Sequence, residues 1–161
     1  MNSLADRALP LVQRAIAALE SLQPLALLAA RLYVAQAFFL SGLTKIRDWD
    51  TTLALFADEY HVPLLPTELA AVLGTGGELV LPILLSLGLF GRFAALGLFV
   101  VNAVAVLSLT DIAPAALQQH QFWGSLLVGL LLWGPGRWSL DALFLSRLSS
   151  ASPRALASMA R

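Results

Sequence analysis

Residues 66–89 read "PTELAAVLGTGGELVLPILLSLGL", an apolar stretch with two carboxylates, Glu68 at its start and Glu78 near its middle. A helix of about 20 mostly apolar residues is long enough to cross the hydrocarbon core of a bilayer. We therefore predict that this stretch is a membrane-spanning helix that carries a charged side chain inside the membrane.

Three further stretches, at about 25–45, 92–110 and 120–136, are apolar enough to be read as spans. The whole sequence is 58% hydrophobic and only 12% charged, whereas roughly 25% of the residues of a soluble domain are charged. The sequence thus predicts an all-α fold, an integral membrane four-helix bundle with an N-terminal amphipathic helix.

The N-terminal residues differ in pattern from the spans. Leu9, Val12, Ile16 and Leu19 recur at helical spacing among charged residues, which is typical of a helix lying on a membrane surface. We predict three parts: an amphipathic N-terminal helix over residues 1–23, a four-span membrane domain over 24–145, and a cytoplasmic tail over 146–161.

Charge and cysteine content limit the function. The formal net charge is +0, which does not favour nucleic acid as a partner. The 161 residues include no cysteine, so disulfides, thiolate nucleophiles and Cys-ligated metals are excluded. His61 and His120 have no metal-ligand spacing, and we predict no metal site.

Basic residues predict the orientation. The N-terminus, the turn between the second and third spans and the C-terminal tail hold seven arginines, against Lys45 and Arg47 on the other side. By the positive-inside rule, both termini face the cytoplasm. The N-terminus does not read as a cleaved signal peptide, and we expect a multi-pass protein of the cell inner membrane.

Five polar residues are candidates for a polar core or ligand-binding pocket: Arg31, Gln36, Lys45, Glu78 and Asn102. A charge near the bilayer centre is costly and usually faces a partner inside the bundle. From their depths along ideal helices, we predict that Arg31 and Glu78 pair, directly or through a water. No catalytic residue is predicted.

Two interpretations of this polar core stay open: the residues hold the helices in register, or they bind a ligand or handle a proton. A third places some of them against partner subunits. Pro82 lacks an N–H and leaves the Glu78 carbonyl without its helical bond, so we expect a bent or loosened helix around the carboxylate.

Several motifs together resemble the DoxX-like family of small four-helix membrane proteins. They are "FFLSGLTKI" at 38–46, "VPLLPTELA" at 62–70, "GGELVLPILLSLGLFGRFAALGL" at 76–98 and "GPGRWSLD" at 134–141. The resemblance runs over about residues 28–145. The family pattern falls on Arg31, Gly42, Lys45, Glu78, Gly88, Arg92, Gly136, Arg137 and Asp141.

The resemblance implies a link to membrane redox systems, both quinone-linked and thiol-linked. It leads us to expect a subunit or accessory of such a system, at most part of an oxidoreductase complex, with membrane or redox proteins as partners. The expected ligand is a quinone or another lipophilic molecule, with no covalent cofactor. The alternatives are a non-enzymatic scaffold or assembly protein and, less favoured, a component of small-solute transport; a homo-oligomer is compatible with all three.

Overall fold

The computed structural model describes residues 4–147, with side chains from residue 9 onward. Its helices are α1 (Leu4–Arg47), α2 (Trp49–Asp58), α3 (Thr67–Leu87), α4 (Gly91–Ser108) and α5 (Pro114–Trp133). Residues 140–147 form a sixth helix, α6. Within residues 4–147 no strand is present apart from one isolated bridge, between Tyr60 and Leu109, and the predicted all-α class is confirmed.

The four long helices form a ring in which α1 packs on α3, α3 on α4, α4 on α5, and α5 more lightly on α1. Their shared core is made of Val34, Phe38, Leu85, Ala94, Ala95, Leu98, Leu127 and Leu130. Small side chains at Ala94 and Ala95, both fully buried, let α4 approach its neighbours closely. Large apolar residues such as Val80, Ile83 and Phe93 face outward, as expected for contact with lipid.

In the described part of the chain, three helices are long and apolar enough to cross a membrane: Leu9–Arg47, Thr67–Leu87 and Gly91–Ser108. They correspond to the first three predicted spans. The fourth predicted span falls in α5, which does not meet the same test, because its first half contains "QQHQ" at residues 118–121. The second half of α5 packs into the core through Leu127 and Leu130.

Helix α1 is continuous through residues 23 and 24, so the predicted surface helix and the first span are parts of one helix. Residues 9–23 are all exposed, and the next residue, Pro24, is half-buried. Whether this segment lies on the membrane surface stays a prediction. Most of the predicted tail, residues 148–161, lies outside the described residues.

The bundle has two different ends. At the loop end, α2 begins with an Asp48 cap that accepts a hydrogen bond from the Thr51 N–H at 3.0 Å. The α2 side chain of Phe56 then packs on Ala70 and Ala71 of α3. At the turn end, α3 stops at Gly88, which has a left-handed φ of 65°.

The glycine run of α3 does not interrupt the helix, which continues through Pro82 to Leu87. Gly91 is the first residue of α4. A Cβ there would come within 2.6 Å of Pro135, so this glycine allows the segment after α5 to lie close to the turn.

Candidate functional site

An ion pair lies inside the bundle between α1 and α3. Lys45 Nζ lies 2.5 Å from Glu78 Oε2, and the side chains are only 14% and 9% exposed, respectively. Lys45 also donates to Ser41 Oγ at 3.0 Å. Because a buried charge requires a partner and further hydrogen bonds, this pair accounts for the charge that the sequence places inside the second span.

The crossing of α1 and α3 explains why these two residues meet. A Cβ on Gly42 would lie 3.1 Å from Glu78 Cβ and 2.9 Å from Leu79 Cγ, so Gly42 and Glu78 stand at the same level. Lys45 is one turn further along α1, and its side chain runs back toward Ser41, as helical side chains commonly do. The ammonium group thereby approaches the carboxylate from the loop end of the bundle.

Beside the pair is a cavity of about 170 Å³ between α2, α3 and α4. Its walls are almost entirely apolar, and Lys45 and Glu78 are its charged members. The other lining residues are Phe56, Tyr60, Val62, Leu65, Ala70, Leu73, Gly74, Val100, Val101, Val104, Ala105 and Ser108. An apolar pocket with a few convergent polar groups is the usual form of a small-molecule site.

Tyr60 forms one wall of this cavity at the loop end. Its ring stacks on Phe56 with centroids 5.0 Å apart, and its backbone is bridged to Leu109 at the end of α4. The next residue, His61, donates its N–H to the Ser108 carbonyl at 2.8 Å. Burial raises the pKa of the Tyr60 phenol, and the negative charges of Glu78 and Glu59 raise it further, so Tyr60 stays a neutral hydrogen-bond donor.

The predicted pairing of Arg31 with Glu78 is wrong. Arg31 lies 11 residues before Gly42 in the same helix, or about 16 Å at the rise of an α-helix. Because Gly42 is level with Glu78, this places Arg31 near the turn end, out of reach of the carboxylate. The prediction measured both depths from the cytoplasmic ends of the spans and took those ends as level. Arg31 instead lies against Gly88 at the end of α3, and α1 extends beyond α3 there.

Arg31 instead holds the turn end together. It is fully buried, and its Nη2 donates to the Trp138 carbonyl at 2.5 Å. A Cβ on Gly88 would collide with Arg31 Nη1 and with Ser139. Among the described residues, Arg31 Nε and Nη1 have no hydrogen-bond partner.

The segment 134–141 closes the same end. The Asp141 carboxylate accepts hydrogen bonds from the N–H groups of Phe90 and Gly91, at 2.9 and 2.8 Å. The Asp141 N–H donates to the Gly88 carbonyl at 3.0 Å. Asp141 therefore caps the N-terminus of α4 from outside the helix, which gives the "GPGRWSLD" motif a structural role.

The remaining two candidates lie apart from the cavity. Asn102 is buried between α4 and α5, where its Nδ2 donates to the His120 carbonyl at 3.0 Å and its Oδ1 lies 2.8 Å from His120 Nδ1. Gln36 is exposed and lines a shallow groove between α1 and α3 with Pro82 and Ser86. Of the five predicted residues, the structure brings only Lys45 and Glu78 together.

The sequence reading missed Tyr60 and Phe56 as members of the site. Both lie in the connection between the first two predicted spans, Phe56 in α2 and Tyr60 just after it. The missing information was where α2 would lie. The glycine at 74, against which Phe56 packs with 3.3 Å to an added Cβ, was the available signal for a close approach. In the part of the chain that the structure describes, no group of three His, Asp or Glu side chains could hold a metal ion.

The fold and site together define a small helical membrane protein with a charge-neutral polar pair beside an apolar cavity. The DoxX family profile matches residues 26–111, just over half of the chain. The chain therefore belongs to the DoxX family. All five candidate residues lie within the matched range.

Two relatives are similar over much of this range. An uncharacterized protein of Haemophilus influenzae (strain KW20) is 31% identical over 126 residues, which are 73% of this chain and 82% of the relative. An uncharacterized membrane protein of Mycobacterium tuberculosis (strain H37Rv) is 38% identical over 92 residues, 48% of this chain and 56% of that protein. No solved structure matches.

Proposed function

We propose that this protein is a subunit or accessory of a membrane redox system and that it holds the ring of a quinone in the cavity beside Lys45 and Glu78. The observation that carries the proposal is the position of this ion pair at an apolar cavity of about 170 Å³. The redox setting is what resemblance to the family suggests, and the cavity supports it through its size and chemistry.

The size of the cavity suits one six-membered ring. An engineered apolar cavity of about 150 Å³ in another protein stays dry and binds benzene, and this cavity is slightly larger. It is smaller than the roughly 300–1,000 Å³ of sites that enclose a drug-sized ligand. A single ring therefore fits, whereas a whole lipid does not.

The polar groups suit a ring that carries carbonyl oxygens. Lys45 supplies ammonium N–H donors, and neutral Tyr60 supplies an O–H donor from the loop end of the cavity. Glu78 accepts a hydrogen bond from a ring hydroxyl when the ring is in the quinol form. Reduction of a quinone takes two electrons and two protons; a partner oxidoreductase would supply the electrons, and Lys45 and Glu78 would hold or pass the protons.

Quinone binding by the purified protein in lipid nanodiscs tests this proposal. The probe is a dimethoxy-methyl-benzoquinone with a decyl chain, and saturable quenching of tryptophan fluorescence reports its binding. We expect Glu78→Gln, Lys45→Met and the cavity-filling Ala105→Phe each to weaken binding about tenfold or more, the effect of losing one charged hydrogen bond or of overpacking. Gln36→Ala, at an exposed position away from the cavity, is the matched control and should bind like the original protein.

Unchanged binding in all three cavity variants would overturn the proposal, and so would the absence of saturable binding both of this probe and of the same ring without a chain. Size-exclusion chromatography of each variant separates loss of binding from loss of fold.

A scaffold or assembly role is the second candidate, and one observation favours it. Lys45 and Glu78 pair with each other and connect α1 to α3. Asn102 and His120 are hydrogen-bonded to each other and connect α4 to α5. If the protein is a scaffold, Glu78→Gln should lower the free energy of unfolding, and the amount of partner that copurifies should fall in proportion. The original protein would then copurify with a stoichiometric partner and without quinone, which mass spectrometry of the gently purified sample measures.

A further inference from the structure

We propose that the cavity opens sideways to the lipid between α3 and α4, so that its ligand is an amphiphile whose aliphatic chain leaves the protein past Leu73 and Val100. This inference rests on the proposed function and adds the ligand's class and its route of entry. The expected ligand is a neutral ring with a long aliphatic tail that arrives from the bilayer, not a water-soluble ring compound.

Two lining residues are also surface residues. Leu73 of α3 and Val100 of α4 both line the cavity, yet their side chains are 54% and 52% exposed on the outside of the bundle. The helices that carry them are neighbours in the ring. The cavity therefore reaches the outer surface along the seam between α3 and α4.

The surface at that seam faces lipid. Leu73 lies six residues inside α3, and Val100 eight residues before the end of α4, or about 9 and 12 Å from the loop end at 1.5 Å per residue. Both helices are long and apolar enough to span the membrane. At this depth the surroundings of an exposed leucine and valine are hydrocarbon, into which an aliphatic chain passes at little cost.

Small residues line the cavity on both helices of the seam, Gly74 on α3 and Ala105 on α4. Larger side chains at these two positions would fill the cavity. Toward the turn end the seam is tightly packed, since a Cβ on Gly77 would come within 3.1 Å of Val101.

The route from water is obstructed at the loop end. A separate depression of about 340 Å³ lies there, lined in part by His61, Pro63 and Thr67. It shares Phe56, Tyr60, Val62, Leu65 and Ala70 with the cavity. These side chains, with the stacked rings of Phe56 and Tyr60 among them, form the wall between the depression and the cavity. The bridge from Tyr60 to Leu109 holds that wall in place.

The charge of the site also limits the ligand. Lys45 and Glu78 neutralise each other, and the other lining residues carry no formal charge at neutral pH. An anionic head group such as a fatty-acid carboxylate would compete with Glu78 for Lys45 and leave one carboxylate unpaired, which is costly in an apolar setting. A neutral, hydrogen-bonding ring avoids this cost.

The test uses two benzoquinones with the same dimethoxy-methyl ring, one with a decyl chain and one without a chain. Binding is measured in nanodiscs by tryptophan quenching and expressed relative to the concentration of each probe in the membrane. Val100→Trp places a bulky side chain at the opening. Leu96→Trp is its matched control, one turn earlier on α4, 46% exposed and not part of the cavity lining.

We expect the original protein to bind both probes with similar membrane-referenced affinity, because the chain lies in lipid before and after binding. Val100→Trp should weaken the binding of the decyl probe about tenfold, the effect of overpacking at one position. The affinity for the chain-free probe should stay unchanged. Leu96→Trp should affect neither.

Binding of the chain-free probe alone by the original protein, or equal effects of the two tryptophan variants, would overturn the lateral opening and leave the proposed function intact. If neither probe binds the original protein, the proposed function fails, and this inference fails with it.

Discussion

Lys45 and Glu78 stabilise each other's charge, since neither side chain is exposed enough to be hydrated like a surface charge. Removal of one partner from a buried pair leaves an uncompensated charge, at a cost of about 3–5 kcal/mol, whereas replacement of both by apolar groups is often neutral. We predict that Glu78→Leu and Lys45→Met each lower the free energy of unfolding by an amount near the lower end of that range. The double variant should lose much less than the sum.

Unfolding in mixed detergent micelles, followed by circular dichroism, measures these differences. Gln36→Ala serves as the control at an exposed polar position on α1. Additive losses in the double variant would show that the two residues do not interact in the folded protein, contrary to the 2.5 Å contact.

The Tyr60 phenol has a pKa above the ordinary 10.0. Burial is the main cause, and the negative charges of Glu78 and Glu59 add to it. The folded state thus holds this proton more tightly than the unfolded state, and the free energy of unfolding falls as the pH rises above about 10. The chain has only two tyrosines, so Tyr33→Phe leaves Tyr60 as the sole tyrosinate signal.

Absorbance at the tyrosinate band, recorded against pH on the Tyr33→Phe protein, measures this pKa. We expect a midpoint above the ordinary value, and a lower midpoint after a further Glu78→Gln change, since one source of negative charge is then gone. A midpoint at or below the ordinary value would place Tyr60 outside the cavity wall.

At the scale of elements, two glycines set the register of α1 against α3. Gly42 of α1 lies against Glu78 of α3, and Gly88 at the end of α3 lies against Arg31 of α1. The spacing from Arg31 to Gly42 and from Glu78 to Gly88 is nearly the same, about 15–16 Å along each helix. Each charged residue therefore faces a glycine of the other helix.

A comparison of two glycines in the α3 region tests this register. Gly88→Ala requires a left-handed residue with a side chain, which costs about 1–2 kcal/mol, and its Cβ would also collide with Arg31 and Ser139. We predict a loss of more than 2 kcal/mol in the free energy of unfolding for this variant. Gly76→Ala meets nothing within 4 Å and should gain about 0.5–1 kcal/mol from helix propensity.

The same unfolding assay in detergent measures both changes. Similar effects of the two substitutions would contradict the close approach at the turn end.

Asp141 connects the segment 134–141 to the N-terminus of α4. Removal of an N-cap side chain costs about 1–2 kcal/mol, and we predict this loss for Asp141→Ala, with a smaller loss for Asp141→Asn. Hydrogen exchange should become faster at the amides of Phe90 and Gly91, the two groups that the carboxylate caps. Asp111→Ala, at an exposed carboxylate beyond the other end of α4, should leave those two amides unchanged.

The sequence was sufficient to predict which segments are helical, but not how the helices are shifted along their axes relative to one another. Length and apolarity located α1, α3 and α4. The partner of Glu78 depended on which residues of α1 and α3 stand level, which is decided by the close approach at Gly42 and by the packing of α2 on α3. Similarly, depth alone placed Asn102 near Glu78, whereas it faces His120 across α4 and α5.

At the scale of the whole molecule, the two ends have separate tasks. The turn end is tied together by buried Arg31, by Asp141 and by the close packing at Gly91. The loop end contains the cavity, with α2 and the Tyr60 wall above it. A rigid base at one end and a cavity at the other are consistent with a protein that binds a ligand while it stays assembled.

The orientation of these two ends in the membrane is the last prediction. Seven arginines belong to the side of the turn end, and of the two basic residues on the loop side, Lys45 is neutralised by Glu78 inside the bundle. Arg47 alone is then left to oppose them, which strengthens the positive-inside assignment. We expect the turn end in the cytoplasm and the loop end outside, with the cavity nearer the outer leaflet.

Because the chain has no cysteine, single cysteines report this orientation without background. In cells expressing the protein, an impermeant maleimide should label Asp111→Cys directly. It should label Arg137→Cys, at an exposed position of the turn end, only after the membrane is permeabilised. The opposite pattern would place the cavity on the cytoplasmic side, where a quinone would take its protons from the cytoplasm, and labelling of both sites in intact cells would mean that the chain inserts in two orientations.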